Sequence, residues 1–384
     1  MISKKKQPGV PEQHATRAIF FVGGFGAASW APLVPLLKAR LGIAEDVLGM
    51  LLLCIGIGSL LTMPLSGAAA VRLGCRKVLT AAGLVYAVLL LSLCTVSSFG
   101  MAVPLLLIFG ATMGCIDVVV NIQAVIVEKA AGRRLMSGMH ALWSVGGFAG
   151  AGLFGIWVGT FSLTPLLSTI IAAAIMVLVT LAASRHLLPY GGDAGGKLLA
   201  LPKGIVTFVG IIACIAFLVE GAIMDWGGVF LTTVRHFDMS LAGTAFTVFS
   251  AAMLTMRLFG DWTVQKIGQE RVVIGGSLLA VAGFLLVIFA AEPALLYLGF
   301  FAIGIGCANV VPVFFSLLGK QRVMPISLAV PAVSTLGYLG ILMGPAVIGF
   351  IAHQTSLYTA FGLLAFLVLL QSIIAAYVYR HILD

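Results

Sequence analysis

Runs of about 17 to 25 apolar residues, each enough to carry a helix across about 30 Å of hydrocarbon, alternate along this chain with short polar breaks. The alternating segments of about ten residues that mark a membrane β-barrel are not the pattern here. Twelve helical spans are predicted, centred near residues 27, 58, 87, 114, 148, 174, 218, 249, 281, 306, 338 and 367. The longest polar break, 185–203 with the run PYGGDAGGK, falls at the midpoint. Its glycines and charges suit a flexible, solvated linker with no fold of its own. The expected fold class is an all-α membrane protein of two six-helix halves, 17–184 and 204–384. A cytoplasmic linker joins them, and a mobile cytoplasmic tail over 1–16 precedes them.

Composition agrees with the pattern. Hydrophobic residues make up 61% of the chain and charged residues 9%, with a mean hydropathy of +1.16. Soluble domains carry about 25% charged residues, so a soluble fold is excluded. Lys4, Lys5 and Lys6 resemble the start of a signal peptide, but the apolar run over 18–37 is longer than a signal core, and it is read as a retained first span. Of the 22 Lys and Arg, only Lys38, Arg40 and Arg235 fall on the odd-side loops and Arg257 inside a span. The basic excess on the other side places both termini in the cytoplasm. The net charge of +9 is scattered over short loops, so no nucleic-acid partner is expected. The six cysteines form no CxxC pair and indicate neither disulfides nor a metal site. With no phosphate-binding loop, no HExxH and no extramembrane Ser/His/Asp set, neither an enzyme nor a primary pump is indicated, and no cofactor is expected.

The halves repeat. Gly114-Cys115-Ile116-Asp117-Val118-Val119 in span 4 is echoed by Gly306-Cys307-Ala308-Asn309-Val310-Val311 in span 10, with Asn309 standing for Asp117. The stretch from Gly67 to Cys75 matches that from Gly260 to Gln269, and Ser144 to Ala151 matches Ser334 to Ile341. More loosely, Gly26 to Ala31 matches Gly221 to Gly227. Such duplications are common in secondary transporters, whose sites lie near the membrane midplane.

Charged groups inside the spans are the candidates for chemistry, because burying them is costly unless they face a cavity or a partner. Asp117, central in span 4, can be neutral or charged and is the first candidate for carrying a proton. Asn121 lies one turn along the same face and Glu128 about 20° from it, so the three could form a polar stripe toward the cytoplasm. Glu220 in span 7 is the second candidate, for a proton or for substrate, with Arg257 as a possible partner. Asp225 is about 140° further round the helix and suits capping or gating. Arg257 is expected to snorkel to the inner interface and pair with Asp261. His140, Trp143, Ser144 and Gly147 share one face of span 5 at helical spacing, a ring and polar groups that suit a polyhydroxylated ligand. Trp30 and Trp226 could close a pocket from the outside or anchor at the interface. Glycines over 146–155 and 337–349 signal close helix packing.

Twelve spans in two halves, with a Gly-x-x-x-x-Arg-x-Gly-x-Arg-Lys loop after span 2, resemble the major facilitator superfamily. That loop usually has an acid before its first arginine. Here Val71 precedes Arg72, so the acid's salt bridge does not carry over. Within the superfamily GCIDVVVNIQ is similar to the fourth span of fucose-permease-like sugar symporters. The resemblance implies a proton-coupling role for Asp117 beside Asn121, and it continues through Glu128, Gly138, His140, Trp143, Ser144, Glu220, Asp225 and Trp226. Where those permeases have Asn-Pro this chain has Asn121-Ile122, leaving Pro312 in span 10 to supply a kink. The expectation is a monomeric bacterial inner-membrane symporter that moves a sugar, polyol or similar solute with protons by alternating access. Asp117 and Glu220 would couple protons. Asn121, His140, Trp143, Ser144, Glu220, Asn309, Trp30 and Trp226 would bind solute, and Glu128, Asp225, Arg257, Asp261 and Arg72 would gate or stabilise. The alternatives are a proton-driven exporter of drugs or metabolites and a non-transporting membrane sensor.

Overall fold

The computed structural model describes residues 8–43, 45–192, 201–237, 241 and 244–381, which are helical almost throughout with no strand among them. The helices are α1 (Val10–Trp30), α2 (Leu33–Leu41), α3 (Glu45–Thr95), α4 (Phe99–Ala131), α5 (Met136–Gly159), α6 (Pro165–Ser184), α7 (Ile205–Val229), α8 (Thr244–Leu258), α9 (Gly260–Ile267), α10 (Gln269–Phe289), α11 (Pro293–Cys307), α12 (Val310–Leu318), α13 (Ile326–Gln354) and α14 (Leu357–His381). Among the described residues nine helical segments are long and apolar enough to cross a membrane, against twelve expected. The expected spans 2 and 3 run together as α3, broken only at Gly74, and span 10 is α11 followed by α12. α8 is shorter than a full crossing, and α1 carries Glu12 and Arg17 in its first turns.

The chain divides into two compact units. One holds Met1–Arg133, Met139–Ala200 and Pro325–Pro331, the other Arg134–Gly138, Leu201–Met324 and Ala332–Asp384. Glycines bring helices together in both, by equivalent contacts. In the first unit Gly146 and Gly150 of α5 lie on the Phe21 and Phe25 carbonyls of α1, and in the second Gly340 and Gly344 of α13 lie on those of Cys214 and Leu218 in α7. Gly110 of α4 rests on the Ile55 carbonyl as Gly304 of α11 rests on that of Phe249. The α3 kink at Gly74 (φ 82°, ψ 151°) recurs at Gly268 (φ 97°, ψ 148°), a backbone region open essentially to glycine alone.

These contacts support the duplication and correct its register. Gly110/Gly304, Gly146/Gly340 and Gly74/Gly268 each stand 194 residues apart by number. On that register Asn309 corresponds to Cys115, and Asp117 to the apolar Val311. Ser144 corresponds to Tyr338, not Ser334. The sequence match slipped because glycines at four-residue spacing and valine runs fit almost as well when shifted.

Two cations that break the basic-inside pattern have a structural reason. Arg40 Nη1 donates to the Val96 carbonyl at 2.9 Å, at the C-terminal end of α3. Arg235 Nη2 donates to the Val287 and Ile288 carbonyls at 2.9 and 2.7 Å, at the C-terminal end of α10. Each satisfies carbonyls that have no helical partner, and each places positive charge at the negative end of a helix dipole.

The described parts of the tail and linker, residues 8–16, 185–192 and 201–203, include helix and bonded backbone. α1 begins at Val10, where Glu12 accepts the Gly9 N–H at 2.7 Å and Pro11 occupies the first turn. Gln13 and Thr16 are buried, the former accepting from Arg133 at 2.9 Å. After α6, Arg76 donates from Nε to the Leu187 carbonyl at 2.9 Å and from Nη2 to that of Arg185 at 3.0 Å. The Arg76 N–H bonds the Leu188 carbonyl at 2.7 Å. Gln123 accepts the Leu188 N–H at 3.1 Å while donating to Thr16 at 2.9 Å. Residues 185–191 are thus strapped to the first unit. The tail residues 1–7 and linker residues 193–200 lie outside the described residues.

Candidate functional site

In the first unit Asp117 lies half-buried midway along α4. α4 is continuous from Phe99 to Ala131, as Ile122 in place of a proline allows. Asn121, one turn on and fully buried, donates from Nδ2 to the Asp117 carbonyl at 2.9 Å and to Asp117 Oδ1 at 3.3 Å. With the amide turned this way its oxygen can only accept. His140 of α5, 9% exposed, approaches that oxygen with Nε2 at 3.1 Å, so Nε2 carries the hydrogen. The imidazole also lies 4.9 Å from the Phe20 ring. Three expected site residues therefore form one hydrogen-bonded series, Asp117–Asn121–His140.

The series crosses from α4 to α5 at Asn121. Glu128, expected to continue a stripe along α4 from Asp117 and Asn121, is buried near the C-terminal end of the helix. Trp143 and Ser144 are half-buried, and the Trp143 ring packs where a Cβ on Gly23 would sit, against α1. Trp30 is 6% exposed, with its ring 5.9 Å from that of Phe109. It is a core residue, neither an interfacial anchor nor an open pocket wall. Arg72 is exposed, and the neighbouring Arg76 does the anchoring.

In the second unit Glu220 and Arg257 form an ion pair with 3.8 Å between Oε2 and Nη2, their side chains 31% and 8% exposed. Arg257 does not snorkel, and the cause lies in α11. Residue 312 is proline, so the Ala308 carbonyl lacks the N–H that would complete the helical bond. Arg257 Nε occupies that carbonyl at 3.1 Å. The helix breaks there, at Asn309 (φ −100°, ψ 0°), and restarts as α12. Asn309 is 3% exposed, its amide against Gly260 and without a hydrogen-bond partner. Asp261 accepts the Ser137 and Gly138 N–H groups at 2.9 Å each, one on each carboxylate oxygen. Asp225 is exposed, and Trp226 packs on Gly349.

Sequence reasoning overlooked Gln123, Arg76 and the Ala308 carbonyl. Gln123 was visible as a third polar residue in GCIDVVVNIQ, and Arg76 as the second arginine of the loop motif. The carbonyl could have been found from Pro312 by counting back four residues.

The Major Facilitator Superfamily model matches residues 18–321 and 209–382. An uncharacterized MFS-type transporter of Yersinia pestis is 46% identical over 366 residues, 94% of each chain. An uncharacterized transporter of Sinorhizobium fredii is 31% identical, over 93% of this chain and 95% of its own. Among solved structures the E. coli fucose:proton symporter superposes with a TM-score of 0.78 at 16% identity, covering 96% of this chain and 98% of that one. At that identity the likeness speaks for the fold alone. The chain belongs to the major facilitator superfamily and is a transporter, not an enzyme.

Proposed function

We propose that this transporter is a proton-coupled symporter of a sugar, polyol or related small polar solute, working by alternating access in a bacterial inner membrane with both termini cytoplasmic. The observation that carries this reading is Asp117, a carboxyl half-buried within an otherwise apolar helix and hydrogen-bonded to an amide that is itself held by His140. A carboxyl in such a place can take up and give up a proton, which is what a proton carrier needs. Support for a hydroxylated solute comes from Glu220 and Arg257, which offer an acceptor and donors side by side. The fucose:proton symporter has the same fold.

A thermal-shift screen of the purified protein against sugars, polyols, amino sugars and cationic drugs tests the solute class. Stabilisation by a sugar or polyol, followed by its accumulation in liposomes under an inward proton gradient, is the expected result. Stabilisation by cationic drugs alone, with transport opposite to the proton gradient, would replace this reading with a proton-driven exporter.

A further inference from the structure

We infer that His140 is a positioning residue for Asp117: it holds the Asn121 amide so that an N–H, and not the amide oxygen, faces the carboxyl. The inference rests on the proton-coupling reading of Asp117 and assigns His140 a place outside the solute contacts. Asn121 has one donor end and one acceptor end; the Asp117 main-chain carbonyl takes the donor end and the His140 imidazole takes the acceptor end, so the two together set which end faces the carboxyl. The donor end favours the charged carboxylate and the acceptor end favours the neutral acid, so the amide's orientation biases the carboxyl's state. In the structure Nδ2 faces Asp117, within 2.9 Å of its carbonyl and 3.3 Å of Oδ1, and Oδ1 takes the Nε2–H of His140 at 3.1 Å. His140 is buried and lies against the Phe20 ring, so the imidazole cannot swing away without leaving its packing. A positioned imidazole therefore acts on the carboxyl through a third residue, with no contact of its own required.

The test needs no solute. Dicyclohexylcarbodiimide attacks carboxyls in the neutral form within apolar surroundings, and mass spectrometry reads the modification of Asp117 site by site in the full-length protein in detergent. Asp117→Asn fixes the background. In His140→Ala the amide loses one of its two anchors and keeps only the Asp117 carbonyl, and modification at neutral pH is expected to rise by about fivefold, a conservative fraction of what a hydrogen bond to an ionised group contributes. His140→Gln places an amide N–H near the Nε2 position and is expected to return modification to the wild-type rate. A packing role alone would not produce that rescue. Equal modification in wild type, His140→Ala and His140→Gln would overturn the inference and leave the coupling role of Asp117 standing. No modification of Asp117 in any of the three, even at acid pH, would overturn both. Should His140→Ala fail to fold, Asn121→Leu removes the same N–H from Asp117. An unchanged rate there would equally overturn the inference.

Discussion

Pro312 and Arg257 are predicted to be energetically coupled, although neither side chain need touch the other. In Arg257→Leu the Ala308 carbonyl, which Arg257 Nε bonds at 3.1 Å, is left buried without that partner, a loss of about 1–3 kcal/mol. The ion pair adds less. Its 3.8 Å separation and the 31% exposure of Glu220 put it near the surface regime, about 1 kcal/mol at most. The total is about 1–4 kcal/mol, equivalent to a few degrees in melting temperature for a chain of this size. Pro312→Ala supplies the missing N–H at residue 312, so the carbonyl gains a backbone partner. Arg257→Leu should then cost about 1–2 kcal/mol less in the Pro312→Ala background than in wild type. The assay is thermal unfolding of the four proteins of this cycle in one detergent, followed by intrinsic fluorescence. Additive effects, with Arg257→Leu equally costly in both backgrounds, would refute the reasoning. Arg257 would then be held by something other than the vacancy Pro312 creates.

Contacts elsewhere in the two units give further expected outcomes. Gly110→Val places a side chain on the Ile55 carbonyl and forces α3 from α4, so yield of folded protein should collapse. Gly147→Ala, with nothing within 4 Å of its new methyl, should leave the yield unchanged, both yields being read as the monodisperse peak in gel filtration. Asp261→Asn keeps one acceptor oxygen for two N–H groups, those of Ser137 and Gly138. It should cost about 1 kcal/mol and speed hydrogen exchange at these residues. Arg76→Ala frees the Leu187 and Arg185 carbonyls and should expose residues 185–192 to proteolysis, whereas Arg72→Ala should leave the cleavage pattern unchanged.

Much of the architecture was legible because hydrocarbon admits few solutions: long apolar runs must be helices, and repeated glycine-rich stretches in the two halves mark a duplicated fold. The pairing of Asp117 with Asn121 was likewise readable from their spacing of four. The repeat register was not, since Gly306 and Gly114 match in letters while their neighbours differ, Gly306 lying on Gly276 of α10 and Gly114 on Ser59 of α3. Nor could spacing reveal that Arg257 turns inward. A missing N–H in another helix decides it, and a proline's effect on a carbonyl four residues back is a contact between elements that no single-helix pattern contains. Arg40 and Arg235 are exceptions to the charge rule in sequence because their carbonyl partners lie at the ends of other helices.

The central claim, that Asp117 carries the coupled proton, is tested most directly in liposomes with whichever solute the thermal screen identifies. Asp117→Asn is predicted to abolish accumulation driven by a proton gradient while retaining exchange of labelled for unlabelled solute at equal concentrations. Accumulation in the Asp117→Asn protein equal to wild type would contradict the account.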